Sequence, residues 1–412
     1  DVESRGLGDV YKRQMVFCPA LEKENRWDEL GAWESIISDD ATEPDISISP
    51  EDIAILQYTG GTTGVLKGCC QTNHAFVAKA MAQVQYFRPF LNDNDYENYM
   101  VIIALGMSHA FGFGQGIVVN LTMGGTIFFA ESLDEILRVI EKYRPTVWPS
   151  VPLWMKLIAT HEEYQKYDIS SLKVITCGSA PLPVDVIRRV EELTGAVITE
   201  GYGMTETVNT ITINGHDHRK VGTVGVVNPN IEYLIVDQET GTEVVEDGQP
   251  GEIICRGECV MHEYWNNPEE TAKMLRNGWL YTGDIGRIDE EGFLIICDRK
   301  KDLIITGGFN VFPSELEAVA ITAENVADAI AIGVPNERRG EVPAIFVQPI
   351  AGKTVDLNEV ERVCREKLSR FKVPKEYYIM DMLPKTKNRK PDRKMVKKLY
   401  LEHAFDDQKK EQ

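Results

Sequence analysis

The segment Tyr58-Thr-Gly-Gly-Thr-Thr-Gly-Val-Leu-Lys67 combines three glycines, three threonines and a lysine. Glycines let backbone N–H groups wrap around a phosphate, threonine hydroxyls add hydrogen bonds, and a lysine adds positive charge. The segment is not a Walker loop, because Lys67 does not directly follow Gly64. We predict a phosphate-binding loop that follows a strand and precedes a helix; an ordinary Gly-Thr turn is the alternative.

Two further segments carry groups suited to a nucleotide. In Gly201-Tyr-Gly-Met-Thr-Glu206, which follows a strand ending at Glu200, Tyr202 offers a flat face for a purine and Glu206 an oxygen ligand for Mg²⁺. In Tyr281-Thr-Gly-Asp284 the carboxylate is expected on a turn before another strand, where it can accept both hydroxyls of a ribose. The alternatives are a turn with a buried tyrosine and a turn aspartate that caps the backbone.

Two charged segments mark the last third of the chain. The first, Asp298–Asp302, runs into the Gly-rich stretch 307–317 and is interpreted as a domain junction. The second starts a basic cluster, in which eight of the fourteen residues from Lys385 to Lys398 are Lys or Arg. A solvated surface and a nucleic-acid patch are the alternatives, but the cluster lacks the interleaved aromatic residues that favour nucleic acid.

The elements that must position these segments follow from hydrophobic periodicity. Short apolar runs alternate with helical patterns, which predicts a largely parallel α/β sheet. The predicted strands are Asp52–Gln57, Val147–Pro149, Val174–Cys177 and Ala196–Glu200, and the predicted helices are Asn73–Tyr86, Asp134–Tyr143 and Pro183–Leu193. Residues 222–300 instead predict an antiparallel, barrel-like portion with strands at Tyr233–Val236, Glu252–Arg256 and Phe293–Cys297. Helices are predicted beyond it at Pro313–Ile321 and Leu357–Arg370.

Residues 98–130 contain no Asp, Glu, Lys or Arg. A membrane span needs about 20 mostly apolar residues, but this stretch holds six glycines and several polar residues. We therefore predict strand, helix and strand in a sheet buried on both faces. No transmembrane segment is expected, and peripheral contact with a membrane is compatible with the pattern.

Composition excludes several classes of protein. The chain has 412 residues, enough for two or three domains, and 44 basic against 64 acidic residues give a net charge of −20. This charge argues against nucleic acid or an anionic membrane as a bulk partner. The imbalance is uneven: residues 1–298 carry 22 basic and 46 acidic residues (net −24), and residues 299–412 carry 22 and 18 (net +4). Eight cysteines without a CxxC pair predict free thiols in a reducing cytoplasm.

The first fourteen residues resemble the translated read-through of a sequencing adaptor. They show neither a hydrophobic core nor a targeting pattern. We predict that residues 1–14 are non-native and that the native sequence, beginning near Met15 or Val16, is truncated at its N-terminus. A natural flexible tail is the alternative.

Taken together, the segments resemble the adenylate-forming superfamily of acyl-CoA synthetases, adenylation domains and luciferases. The resemblance runs from about Asp52 to Lys394, and Gly178-Ser-Ala-Pro-Leu182 and Ser108-His-Ala-Phe-Gly112 fit two further family segments. It implies an α/β fold with a large N-terminal domain at 15–298, which includes a small β-barrel-like subdomain, and a small, mobile α+β C-terminal lid domain at 299–412.

The implied reaction has two steps. A carboxylic acid and Mg²⁺-bound ATP form an acyl-adenylate and pyrophosphate, and coenzyme A then takes the acyl group and releases AMP. A stand-alone enzyme that loads a carrier-protein thiol and an inactive binding-only remnant are the alternatives. ATP, Mg²⁺, CoA and a small-molecule acid are thus the expected cofactors and partners, and no nucleic acid is expected.

The resemblance also implies roles for individual residues. The β- and γ-phosphates and the leaving pyrophosphate would be held by Thr59, Gly61, Thr62, Thr63, Gly64 and Lys67. The nucleotide and acyl site would be lined by Gly178, Ser179, Ala180, Glu200, Gly201, Tyr202, Gly203 and Met204. Thr205 would touch the α-phosphate, Glu206 would bind Mg²⁺, and Asp284 would bind the ribose with help from Arg299.

The C-terminal domain would contribute in both steps. Lys390 would bridge the carboxylate and the α-phosphate, although Arg389 stands where the family usually has glycine. Lys301 matches the hinge position, and Gly307, Gly308 and Phe309 would approach the thiol in the second step.

The acyl pocket would be formed by His109, Phe111, Gly112, Gly203 and Val208. Its apolar and small residues favour a fatty or other hydrophobic acid. A dicarboxylate is disfavoured because these segments offer no basic residue for a second carboxylate.

Overall fold

The predicted phosphate loop lies between two antiparallel strands in the computed structural model. The structure describes residues 45–59, 66–160, 164–208, 210–386, 391–405 and 408, so the predicted non-native tail lies outside the described residues. Strand β1, Ile53–Thr59, pairs with β2, Lys67–Thr72, and Thr59 lies opposite Lys67. The predicted helix follows the segment, but the buried strand β2, which was not predicted, comes between them.

Helix α1, Asn73–Phe87, follows β2 and confirms the predicted helix. It begins where the Thr72 hydroxyl accepts a hydrogen bond from the Ala75 N–H at 3.2 Å, which satisfies one of the free donors of the first turn. A short 3₁₀ turn at Arg88–Phe90 and helix α2, Asp93–Glu97, lead on to the central sheet. Contacts divide the chain into a unit of residues 1–49 and a unit of residues 50–412, and every described helix and strand lies in the second unit.

The central sheet has seven strands in the order β4-β3-β5-β6-β7-β8-β9. Its parallel strands are β3 (Met100–Ile103), β4 (Thr126–Phe129), β5 (Val147–Ser150), β6 (Val174–Cys177) and β7 (Val197–Tyr202). Two short strands, β8 (Thr212–Ile213) and β9 (Val226–Val227), continue it in antiparallel pairing. The predicted parallel α/β sheet is therefore confirmed, except that β1, which was predicted among its strands, lies in the separate antiparallel pair with β2.

The uncharged stretch 98–130 forms strand, helix and strand, as predicted. Between β3 and β4 lie a π-helix, Phe111–Val118, and helix α3, Val119–Thr122. The π-helix packs directly on the sheet: a Cβ atom at Gly116 would lie 3.1 Å from Ile103 Cδ1. In the part of the chain that the structure describes, every helix is too short or too polar to cross a membrane.

Both faces of the central sheet are covered, which explains its apolar strands. On one face, Trp148, Ile175 and Ile198 pack against α4 (Leu133–Tyr143), α5 (Pro152–Thr160) and α6 (Val184–Thr194). On the other face, Val147 and Val174 belong to a cluster that includes Phe87 of α1 and Ile117 of the π-helix. Helix α1 and the π-helix thus pack on this second face.

Residues 231–299 form a separate antiparallel sheet, as predicted. Its strands are β10 (Ile231–Val236), β11 (Gly251–Gly257), β12 (Leu275–Arg276), β13 (Trp279–Ile288) and β14 (Leu294–Arg299), with helix α7, Pro268–Met274, before β12. The expectation that Asp284 sits on a turn before a strand was wrong. Asp284 lies inside β13, where Gly283 adopts a left-handed φ of 71° without ending the strand.

The chain from β15 onwards forms a further sheet packed against helices. Its strands are β15 (Ile304–Thr306), β16 (Phe309–Val311), β17 (Val326–Asn336), β18 (Gly340–Pro349) and β19 (Glu376–Ile379). The helices are α8 (Pro313–Ala320), α9 (Leu357–Lys367) and α10 (Arg393–Leu401). Helix α9 ends three residues earlier than predicted, at an extended Leu368 whose N–H still bonds the Cys364 carbonyl.

Candidate active site

The end of the predicted phosphate loop is held by Lys67. Its ammonium lies 2.7 Å from Glu270 Oε2 of α7 and 4.7 Å from the centre of the Tyr264 ring. Hydrogen bonds from Lys273 and Lys67 lower the pKa of Glu270 to about 2, so this carboxylate is charged at neutral pH. Of the other loop residues, Thr59 pairs with Lys67 at the base of the hairpin, whereas Gly61, Thr62, Thr63 and Gly64 lie outside the described residues.

Glu206 is buried beside this lysine. It lies on the 3₁₀ turn Thr205–Thr207, is 6% exposed, and accepts a hydrogen bond from the Tyr264 hydroxyl at 2.5 Å. Burial raises the pKa of Glu206, and the Tyr264 hydrogen bond and the charge of Lys67 oppose that rise. The Glu206 carbonyl accepts from the Met261 N–H and the Thr205 carbonyl from the Gln71 amide, both at 2.7 Å, so the backbone of the turn is held from two sides.

A carboxylate in this setting suits Mg²⁺. Among the described residues, no group of three His, Cys, Asp or Glu side chains could hold a metal ion. Mg²⁺ commonly takes only one or two protein carboxylates and completes its octahedron with water and substrate phosphates. The donor set at Glu206 therefore fits an ion that arrives with a nucleotide.

Tyr202, Asp284 and Arg299 come together from three strands. The Tyr202 hydroxyl donates to Asp284 Oδ2 at 2.7 Å, and Arg299 Nε lies 3.3 Å from Asp284 Oδ1. Asp284 and Arg299 are opposite one another in the β13–β14 pairing. Burial and the nearby Asp284 raise the pKa of Tyr202 well above its ordinary value, so its phenol remains a donor at neutral pH.

The carboxyl ends of β6 and β7 bring Gly178 and Gly201 together. A Cβ atom at Gly178 would lie 3.6 Å from the Gly201 carbonyl oxygen and 3.7 Å from the Phe111 ring. Ser179 has a left-handed φ of 72°, which is uncommon for a residue with a side chain and leads the chain sharply towards Ala180. Burial raises the pKa of Glu200 to about 7, although N–H groups of Leu182 and Gly222 oppose the shift.

Three of the predicted acyl-pocket residues, His109, Phe111 and Gly112, lie at the start of the π-helix. The Phe111 N–H donates to His109 Nδ1 at 3.2 Å, and Gly112 packs on the backbone so closely that a Cβ atom would lie 2.2 Å from the Gly106 oxygen. Val208 is buried in a cluster with Ala75 and Phe76 of α1. Gly203 and Met204 connect β7 to the 3₁₀ turn that carries Glu206.

The structure also describes the predicted hinge residue and the loop predicted for the second step. Lys301 lies on a 3₁₀ turn, Lys300–Asp302, and burial lowers its pKa to about 8. Gly307 and Gly308 form the two-residue turn between β15 and β16, with φ values of 58° and 84° that favour glycine. Phe309 is exposed and its ring lies 4.9 Å from that of Phe371. Lys390 and Arg389 lie outside the described residues.

Sequence reasoning missed three residues of this region. Tyr264 and Glu270 contact Glu206 and Lys67 from a segment to which the sequence analysis assigned no role. The Asn267-Pro268 pair, an N-cap followed by proline, is a signal that could have placed Glu270 in the first turn of a helix. Lys79 was given no role within the predicted helix Asn73–Tyr86, yet it is fully buried.

Comparison with known proteins agrees with this geometry. Residues 9–265 match the model of the AMP-binding enzyme family, and residues 315–390 match the AMP-binding enzyme C-terminal domain. The long-chain-fatty-acid–CoA ligase of Bacillus subtilis is 38% identical over 343 residues, which are 82% of this chain and 60% of the relative. The chain therefore spans about 60% of the length of such curated relatives. Another relative is a propanoyl:CoA ligase of Rhodococcus jostii, and the propanoyl group in its name bears a 1,5-dioxo bicyclic ring system. It is 35% identical, covering 86% of this chain and 66% of the relative.

Solved structures show the same likeness. ATP-bound MatB from Rhodopseudomonas palustris is similar with a TM-score of 0.80 at 30% identity, covering 93% of this chain and 78% of that one. The o-succinylbenzoate CoA synthetase of Bacillus subtilis, in complex with ATP and magnesium, is similar with a TM-score of 0.78 at 27% identity, covering 91% and 77%. The family match agrees with the sequence motifs and with the sheets that carry them. This chain belongs to the AMP-binding enzyme family, which is the adenylate-forming superfamily that its motifs resemble.

Proposed function

We propose that the protein activates a carboxylic acid with ATP, forming an acyl-adenylate and pyrophosphate, and transfers the acyl group to CoA. The observation that carries this proposal is the cluster of Tyr202, Asp284 and Arg299, which joins residues 82 positions apart by a 2.7 Å hydrogen bond. An aromatic ring, a carboxylate and a cation gathered in this way suit the base and sugar of a nucleotide. Family membership supports the same reading.

Asp284 has the capacity to bind a ribose while keeping its present partners. A carboxylate offers about four lone-pair sites, and Tyr202 and Arg299 contact different oxygens of Asp284. We propose that the two ribose hydroxyls also donate hydrogen bonds to Asp284. The ring of Tyr202 then stacks on the adenine, and Gly178, Ser179, Ala180, Glu200, Gly201, Gly203 and Met204 line the rest of the nucleotide and acyl site.

The first step brings two anions together, so positive charge must offset their repulsion. In the proposal, Thr59, Gly61, Thr62, Thr63, Gly64 and Lys67 hold the phosphates, and Thr205 contacts the α-phosphate. Glu206 holds Mg²⁺, which when bound supplies charge to the phosphate oxygens. Lys390 orients the carboxylate of the acid against the α-phosphorus. Positioning and electrostatics supply most of the acceleration in such transfers.

The second step is proposed to use the C-terminal domain differently. Residues 15–298 form the N-terminal domain and residues 299–412 the lid, which turns about Lys301. This rotation withdraws Lys390 and brings Gly307, Gly308 and Phe309 towards the thiol. A turn with two left-handed glycines and an exposed aromatic ring at its edge supports this role.

The proposed substrate is a fatty or other hydrophobic acid bound by His109, Phe111, Gly112, Gly203 and Val208. Several relatives that are 34 to 38% identical are named long-chain-fatty-acid–CoA ligases. We also propose that the protein works in the cytoplasm, because the seven cysteines that the structure describes are all free thiols.

Carboxylate-dependent release of pyrophosphate tests the proposal. The 412-residue chain is incubated with ATP, Mg²⁺ and a panel of carboxylic acids, with either CoA or a carrier protein as acceptor. Glu206→Gln and Asp284→Ala should each lower the rate by at least about tenfold, the scale of one lost charge contact. Glu239→Gln, an exposed change of the same kind as Glu206→Gln, is the control. A rate that does not depend on the acid contradicts the proposal.

A further inference from the structure

Helix α1 carries a buried lysine one turn beyond Phe76, the residue that packs with Val208 of the predicted acyl pocket. Lys79 is 0% exposed, and its ammonium donates a hydrogen bond to the Thr210 hydroxyl. The described part of the chain sets no carboxylate against this ammonium, and burial lowers the pKa of Lys79 to about 7. A buried cation without a counter-charge is unfavourable unless something else compensates it.

Three more buried polar side chains, which together with Lys79 we call the polar layer, have atoms without a partner among the described residues. Gln83 Oε1, Gln115 Nε2 and Thr176 Oγ1 are buried, and none is hydrogen-bonded by a described residue. Gln83 follows Lys79 by one turn on the same side of α1, Gln115 is on the π-helix, and Thr176 is on β6. Buried polar groups in native proteins are nearly always paired, so a group of them needs a reason.

The layer is continuous with the predicted acyl pocket on the β-sheet side. A Cβ atom at Gly178, at the carboxyl end of β6, would lie 3.7 Å from the Phe111 ring. Thr176 precedes Gly178 by two residues and so points to the same face, because side chains alternate along a strand. At about 3.3 Å per residue, Thr176 lies about 7 Å further from the nucleotide site than Gly178.

On the α1 side of the predicted acyl pocket, the residues also change from apolar to polar along the helix. Phe76 of α1 packs in a cluster with Val208, and its ring lies 5.7 Å from that of Phe113 of the π-helix. Lys79 is one turn beyond Phe76, and its partner Thr210 is two residues beyond Val208. On the β6 side and on the α1 side, apolar or small residues of the pocket are therefore followed by hydrogen-bonding residues.

We propose that the acyl site ends in this polar layer, and that the preferred acid carries an oxygen substituent at the end remote from its reacting carboxylate. Lys79 and the Gln115 Nε2 amide donate to that oxygen, and a hydroxyl group at this position also donates to Gln83 Oε1. A carbonyl, hydroxyl or carboxylate group can play this part, since each accepts hydrogen bonds from an ammonium. The inference rests on the proposed function and replaces its plain hydrophobic acid with an oxygenated one.

Three acids of equal length test this inference: octanoate, 8-hydroxyoctanoate and octanedioate. Their kcat/KM values are measured by pyrophosphate release, and their Kd values by calorimetry. A site built to hydrogen-bond a substrate rejects the analogue that lacks the group, so at least one oxygenated acid should exceed octanoate by about tenfold. In Lys79→Met that ratio should fall to about twofold or less. Lys173→Met, the same change at an exposed lysine, should keep the wild-type ratio.

The inference is overturned if octanoate equals both oxygenated acids in the wild-type chain, or if Lys79→Met leaves the ratio unchanged. Gln83→Leu provides a second variant if Lys79→Met does not fold, and it should lower the ratio by about threefold or more. If no acid releases pyrophosphate, the proposed function fails, but the calorimetric ratios still decide whether the site selects an oxygenated acid.

Discussion

The largely enclosed ion pair between Arg393 and Glu317 provides a sharp test of how the start of α10 is held, three residues after Lys390. One Arg393 guanidinium nitrogen lies 2.7 Å from each Glu317 oxygen, and Glu317 also accepts the Ala331 N–H at 2.8 Å. The side chains are only 20% and 15% exposed. Arg393→Met should leave a buried carboxylate with a single hydrogen-bond donor.

The expected loss of stability is about 3 kcal/mol. Removing one partner of a fully buried pair costs about 3 to 5 kcal/mol, and the partial exposure of both side chains places this pair at the lower end. Urea unfolding of the variant and the wild-type chain measures the difference. The double variant Arg393→Met with Glu317→Gln should recover part of the loss, because it no longer buries an unpaired charge. Arg365→Met, which removes an exposed ion pair with Glu361, is the control and should leave the urea midpoint unchanged.

The loss should depend on pH in a defined direction. Burial raises the pKa of Glu317 from 4.5 to about 7, so its proton stabilises the folded state below pH 4.5, and this contribution is lost as the pH rises to about 7. Without Arg393 the pKa of Glu317 rises further. The deficit of Arg393→Met should therefore be small near about pH 5, where Glu317 is protonated in both proteins, and largest near about pH 8.5. An equal deficit at both pH values would refute the reasoning.

Three further changes test other parts of the site. Gly112→Ala sets a Cβ atom 2.2 Å from the Gly106 oxygen, so thermal unfolding should show a loss of about 1 to 3 kcal/mol; an unchanged midpoint contradicts the close packing. Glu270→Gln removes the carboxylate that pairs with Lys67 at 2.7 Å, which frees the ammonium for phosphate, so KM for ATP should fall; a rise would show that Glu270 positions the lysine instead. Lys390→Ala should abolish pyrophosphate release but spare thioester formation from supplied acyl-adenylate, and retained adenylation would move that role to another lysine.

Local patterns were sufficient for most elements of the fold. The parallel strands of the central sheet appear in the sequence as short apolar runs because both of their faces are covered. Helix α1 appears as a helical pattern that opens after Thr72, the residue that caps it. The uncharged stretch 98–130 was interpreted correctly as strand, helix and strand, since its glycines favour packing against a sheet over insertion into a membrane.

Patterns that depend on a partner strand were harder to interpret. The hairpin strand β2 was missed because Lys67–Thr72 shows little alternation, and it is recognisable only by its pairing with β1. Asp284 was placed on a turn because Thr-Gly-Asp is typical of turns. In the structure, pairing with β11 and β14 keeps this segment within β13.

The sequence by itself determined the chemical groups, their order along the chain and the family they indicate, because those motifs are local and their spacing is specific. Only the tertiary structure decided which groups meet: Tyr202 with Asp284, Lys67 with Glu270, and Glu206 with Tyr264. It also decided that Lys79 is buried without a carboxylate among the described residues. Burial and charge pairing depend on contacts between segments far apart in sequence, so no local pattern contains them.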